Sequence, residues 1–289
     1  MRRTEASQRG FTLVEMIVVM VITGILAGMV AVFLKTPVQA YVDSANRAQL
    51  TDAADLALRR MAREIRLALP NSVRVDASAR ALEFLPAITG GRYWAADDPV
   101  AGDFLSFTDP ADLGFDVIGA MPGGRQQILA GYWLVVYNLG EGMAPGDAYD
   151  CSVACNRAAI ADVSGQKITL ASNPFAAQDP ALASPTSRFQ VISGPVSYVC
   201  TPGAGGTGQL VRYANYPISQ LQGDPPAGPA LSTAIVTKNV VACTFDYTQP
   251  AYGLANARSA LVGLTLTLQM PGTTEVVTLS QQVHVDNTP

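Results

Sequence analysis

The sequence predicts an α+β fold, with one long N-terminal helix followed by an antiparallel sheet. Three observations carry that prediction. An apolar run of 24 residues, Phe11 to Leu34, stands near the start with Glu15 as its one charge. From Leu50 to Leu69, apolar residues recur every three or four positions, which is one face of a helix. After Val75 the pattern changes to short apolar or alternating stretches separated by Gly, Pro, Asn and Asp. Strands that follow one another without helices between them pair antiparallel, and a βαβ arrangement is excluded.

The apolar run comes first. As a helix it spans about 36 Å at about 1.5 Å per residue, enough to cross a bilayer. Ten residues precede it and carry Arg2, Arg3 and Arg9. Arginines on that side predict a cytoplasmic N-terminus and an exported remainder. An ordinary secretory signal has a shorter apolar core and then a small-residue cleavage site. Here the residues after Leu34 run on into Lys35, Pro37 and a helical pattern. A plain membrane anchor explains the length but not Glu15. A charge inside a membrane span costs a few kcal/mol and is kept for a purpose.

Pro37 ends the purely apolar stretch, at a position where a helix can kink. Beyond it, Leu50, Ala54, Leu58, Met61, Ile65 and Leu69 form the buried face. Asp55 and Arg59, and Arg60 and Glu64, are four apart and can pair on the exposed side. Arg59, Arg60, Arg63 and Arg66 crowd the last turns, where cations suit the helix dipole. They read as a solvated helix end or as a contact with acidic neighbours. Pro70-Asn71 is a stop signal.

Candidate strands follow at 81–85, 104–107, 132–138, 167–171, 189–193, 196–200, 209–213 and 240–247. The clearest are the closing pair, 261–270 and 275–285. Leu264, Leu266, Leu268 and Met270 alternate there with polar residues, and Pro271-Gly272-Thr273-Thr274 supplies the turn. Long loops rich in Gly, Pro, Ala and Asp are expected at 94–103, 140–156, 173–186 and 223–229.

Composition suits an anchored, exported chain with one substantial domain: 49% of residues are hydrophobic and only 15% charged. The first ten residues hold three Arg and one Glu. Without them the chain carries 16 basic residues against 22 acidic ones. That balance, with no basic stripe, argues against a nucleic-acid partner.

The stretch Arg9-Gly10-Phe11-Thr12-Leu13-Val14-Glu15 resembles the class III signal of type IV prepilins. The resemblance implies cleavage between Gly10 and Phe11 by a membrane prepilin peptidase, and N-methylation of Phe11. It gives Glu15 a role, pairing with the N-terminal amine of a neighbouring subunit, so that each buried charge answers the other. The implied division is a leader at 1–10, a transmembrane and assembly helix at 11–35, an amphipathic extension at 36–72 and a β-rich head at 73–289. Further stretches resemble the MSHA-pilus biogenesis family: 37–52, 56–75, 194–200, 210–213 and 243–247. Many type IV pilins have a proline in the membrane helix, where Gly24 and Gly28 stand here.

Four cysteines remain: Cys151, Cys155, Cys200 and Cys243. Outside the cytoplasm an even count favours disulfides. Three pairings are possible, and Cys151–Cys155 with Cys200–Cys243 is favoured. Zinc is the rival, but the spacing is not Cys-x-x-Cys and His284 is the sole histidine. His284 reads as a surface residue on the last strand. Asp97, Asp98, Asp103, Asp109, Asp112 and Asp116 form an acidic stretch that matches no EF-hand loop; calcium is the one metal it suggests. Gly203 to Gly208 lacks the Lys-Ser/Thr ending of a phosphate cradle and precedes a strand, so it reads as a hairpin loop. No Gly-x-Ser-x-Gly is present, and one histidine restricts triad chemistry.

The expectation is therefore a non-enzymatic minor pilin-like subunit that needs no cofactor. It sits in the inner membrane with its head in the periplasm or in an extracellular fibre. Its expected partners are major and minor pilins, the inner-membrane assembly platform and the prepilin peptidase. The alternatives are a minor pseudopilin of type II secretion resembling the J subunit, and a membrane-tethered binding module that never polymerises.

Overall fold

The computed structural model describes residues 10–98, 102–152, 154–247 and 259–289. The leader expected at 1–10 lies outside the described residues as far as position 9, and so does the middle of the 94–103 loop. The chain divides into two compact units, Met1–Gln49 and Leu50–Pro289.

The first element is α1, Leu13–Ile65, which passes through Pro37 without interruption. Thr12 starts it: its Oγ1 accepts a hydrogen bond from the Glu15 N–H at 3.3 Å, the N-cap arrangement. The helix stops at Ile65 and not at 72. Its last turn tightens, with Leu67 and Ala68 N–H donating to Glu64 and Ile65 carbonyls at 3.0 Å. The chain then turns to the sheet side. Leu69 N–H donates to the Leu85 carbonyl and Ala87 N–H to the Leu67 carbonyl, each at 2.7 Å. Residues in phase for another helical turn are claimed by a strand connection, a tertiary effect that periodicity cannot report.

The strands in chain order are β1 (Arg74–Val75), β2 (Ala81–Phe84), β3 (Ala87–Arg92), β4 (Gly114–Asp116), β5 (Trp133–Val135), β6 (Arg157–Ser164) and β7 (Lys167–Leu170). They continue with β8 (Arg188–Ile192), β9 (Val196–Thr201), β10 (Gly208–Ala214), β11 (Ser232–Tyr247), β12 (Ser259–Gln269) and β13 (Val276–Asp286). One sheet runs β1-β2-β9-β10-β11-β12-β13; the other runs β3-β8-β5-β6-β7-β4. The named pairings are all antiparallel.

The first sheet buries the helix face read from sequence. Leu50, Ala54, Leu58, Met61 and Ile65 share one core with Phe84, Tyr198, Leu210, Phe245, Val262, Leu264, Leu266 and Leu268. The second sheet has its own core around Phe115, Leu134, Ile168, Phe175, Phe189 and Val191. A third cluster holds Leu69, Leu85, Val135, Tyr149 and Ile192, and so joins the connection after α1 and the end of β2 to β5 and β8 of the second sheet.

β11 is longer than expected because it serves two partners. Its first half pairs with β10 and its second with β12, with a register shift between Val240 and Ala242. Gly208 sits where β11 changes partner. A Cβ there would lie 2.3 Å from the Val240 carbonyl oxygen, so only glycine permits the approach.

Two expectations fail for identifiable reasons. Phe104–Phe107 is not a strand; Phe104 makes one isolated bridge to Trp94, and Ser106 Oγ accepts from Asp109 N–H at 2.9 Å to form a turn. The strand expected at 132–138 shrinks to β5, because Tyr137 takes a left-handed φ of 51°. β3 and β6 lie in stretches where the sequence predicts no element. In β3 the pair Gly90-Gly91 reads as a breaker, yet Gly91 is needed because a Cβ there would meet the Phe189 ring at 2.7 Å.

Candidate functional site

The candidate site is the segment Gly10 to Glu15 with the apolar helix it opens. Gly10 has open space where a Cβ would stand, and Phe11 is 78% exposed. The bond between them therefore lies ahead of the first helical turn, with no packing among the described residues to block a peptidase. Thr12 and Glu15 have the Ser/Thr-x-x-Glu spacing of a capping box. The sequence reading missed this, although the spacing alone could have shown it. The cap uses the backbone N–H of Glu15 and leaves the carboxylate free of it. Among the described residues no cation pairs with that carboxylate.

Downstream the helix is long and apolar enough to cross a membrane by length and composition. Its large apolar side chains from Leu13 to Leu34 are all exposed. Gly24 and Gly28 lie one turn apart with nothing within 4 Å of where a Cβ would stand. Small residues at that spacing let a second helix approach closely within a bilayer.

The head holds the remaining candidates. Cys200 and Cys243 are bonded with Cα atoms 6.6 Å apart, joining β9 and β11 on either side of β10. Cys151 and Cys155 are bonded within one loop. The acidic stretch is spent locally. Asp103 pairs with Lys167 at 2.7 Å, Asp116 accepts from the Asp103 N–H, Asp98 from Ala95 N–H and Asp109 from Ala111 N–H. Among the described residues no three His, Cys, Asp or Glu side chains are placed to hold a metal ion. His284 is exposed on β13, and Gly203 to Gly208 turns the β9–β10 hairpin.

Sequence reasoning also missed a buried polar cluster. Arg74 and Glu83 are 5% and 2% exposed and bonded at 2.6 Å. Arg74 further donates to the Gln220 and Ser219 carbonyls at 2.7 and 2.9 Å, and its guanidinium lies 3.7 Å from the Tyr149 ring centroid. The other oxygen of Glu83 accepts from Tyr216 and Ser197 hydroxyls at 2.9 and 3.1 Å. Each partner is satisfied, as a buried ion pair requires. The members are distant in sequence, so no local pattern announces them.

Burial, reinforced by the charge of Glu83, raises the Tyr149 phenol well above its ordinary value. The folded head therefore holds a proton that the unfolded chain releases above about pH 10. Stability from this group is fully present at neutral pH and is lost as pH rises past that point. Tyr149→Phe removes the 2.8 Å hydrogen bond to the Ser72 carbonyl. At pH 8 it should cost about 1 kcal/mol. Above about pH 10 the wild type should lose about 1.4 kcal/mol per pH unit relative to the variant. Urea unfolding across that range checks this; a gap constant with pH would refute it.

The prokaryotic N-terminal methylation motif matches this chain at residues 6–31. That motif supports a type IV pilin-like protein, in a pilin or pseudopilin role. It points to a structural, non-enzymatic protein, and the apolar helix is consistent with membrane anchoring. No curated protein and no solved structure matches the chain.

Proposed function

We propose that this chain is a minor pilin-like subunit of an adhesive MSHA-type type IV pilus, similar to the biogenesis protein MshO, acting at the priming or tip of the fibre. The observation that carries the reading is Gly10-Phe11 on open chain followed by a capped helix with Glu15 at its third position. In this reading the prepilin peptidase removes residues 1–10 and Phe11 is methylated. The apolar helix anchors the chain in the inner membrane with the head outside, then docks among other pilin helices. Glu15 receives the amine of a neighbour, and Gly24 and Gly28 admit close helix contact. The resemblance of the short stretches 37–52, 56–75, 194–200, 210–213 and 243–247 to the MSHA-pilus biogenesis family is what favours this machine over a secretion system.

Processing tests the reading. Mass spectrometry of protein from cells with an active prepilin peptidase should find methylated Phe11 at the N-terminus. Gly10→Val should leave the leader attached, because the branched side chain obstructs the bond before Phe11. An intact Met1 terminus in the unaltered protein would reject it. Copurification with secretion pseudopilins instead of pilins would move the chain to the other machine.

A further inference from the structure

We propose that the outer edge of β13 accepts an extended acidic segment of a partner protein, added as a further strand beside the arginines of α1. β13 is eleven residues long and ends the first sheet. Its pairing to β12 is continuous, with no bulge from Val276 to Asp286. Among the described residues no backbone group bonds to its other side. Sheet edges left open are normally shielded by prolines, bulges, charges or short length, since an open edge templates pairing. β13 has none of these before Asp286; its residues are Val-Val-Thr-Leu-Ser-Gln-Gln-Val-His-Val. Such an edge is built to be covered.

Charge identifies what covers it. A hollow of about 430 Å³ lies between α1 and residues 279–281 of β13, and one of about 330 Å³ lies along the end of α1 beside Gln281. Arg59 lines both; Arg63, one turn on along the same face of α1, and Arg66, in the turn just past Ile65, line the smaller, and exposed Leu56 stands with them. Arg59 is held by Asp55 at 2.8 Å, whereas Arg63 and Arg66 have no carboxylate partner among the described residues. A second copy pairing edge to edge about a two-fold axis would bring two such arginine sets together, and like charges would oppose it. A strand with carboxylates on the side facing α1 satisfies both the open backbone and the free guanidinium groups. This is strand addition, with main-chain bonds supplying affinity and alternate side chains specificity. It is a property of the head and does not depend on how the N-terminus is processed.

The test uses the full chain in detergent micelles and two synthetic peptides, one alternating Thr and Glu and one alternating Thr and Lys. Binding is read by fluorescence anisotropy and its place by amide hydrogen exchange. The Glu peptide should bind and protect β13 amides, and the Lys peptide should bind about tenfold more weakly, the size expected for two lost ion pairs. Arg63→Glu with Arg66→Glu, both exposed, should leave the fold intact by circular dichroism and reverse the preference. Equal binding of both peptides, no protection of β13, or self-association of the chain through β13 would each overturn the proposal.

Discussion

Glu15→Val is expected to be inserted and cleaved normally and yet to be missing from assembled fibres. Insertion becomes easier, because a charge that costs a few kcal/mol in the membrane is gone. The helix start survives, because Thr12 caps the backbone N–H of residue 15, which valine keeps. The exchange also removes an acid from the first turn, worth only about 0.3–1 kcal/mol to the helix. The large cost falls on the assembled state. A neighbour's N-terminal amine would be buried in an apolar setting without a counter-charge, a loss of about 3–5 kcal/mol for a broken buried pair. Glu15→Asp, which keeps the charge on a shorter arm, should be incorporated better than Glu15→Val. Quantifying each variant in the membrane and in sheared pili separates the two stages. Recovery of Glu15→Val in pili at the unaltered level would remove the assigned role.

Arg74→Met is expected to destabilise the head by about 3–5 kcal/mol, a large share of any domain's stability. Methionine fills much of the volume but leaves Glu83, 2% exposed, as a buried carboxylate without a cation. It also strips the donors from the Ser219 and Gln220 carbonyls, releasing the 219–220 segment from β1. Arg74→Lys should fall between, because an ammonium supplies charge but not the planar fork that spans the Glu83 carboxylate and the Ser219 and Gln220 carbonyls. Urea unfolding of the full chain in detergent, followed by tryptophan fluorescence, measures both. A loss below about 1 kcal/mol for Arg74→Met would mean that the cluster contributes little net stability, as some buried pairs do.

Periodicity and patterning along the sequence determined much of this protein. The apolar run, its lone acid and the buried stripe Leu50 to Ile65 are local features, set by side chains three or four residues apart on one helix. The β12–β13 hairpin was equally legible, because alternation and a Pro-Gly turn are written in contiguous residues. The candidate processing segment is likewise linear: a peptidase reads a short stretch of chain, so its residues must be neighbours in sequence.

Tertiary structure alone decided the rest. It ended α1 at Ile65, since the Leu67–Leu69 backbone gains partners in the strand connection that another helical turn could not match. It made β3 from a Gly-Gly sequence, because the Phe189 ring needs the space a side chain would fill. It bent one strand, β11, between two partners, and it assembled Arg74, Glu83, Ser197 and Tyr216 from segments far apart in the chain. It also placed Arg59, Arg63 and Arg66 beside the β13 edge of the first sheet, which no reading of either segment alone relates. In each case the deciding energy comes from contacts between residues distant in sequence, where one chain read by itself carries no spacing to reveal them.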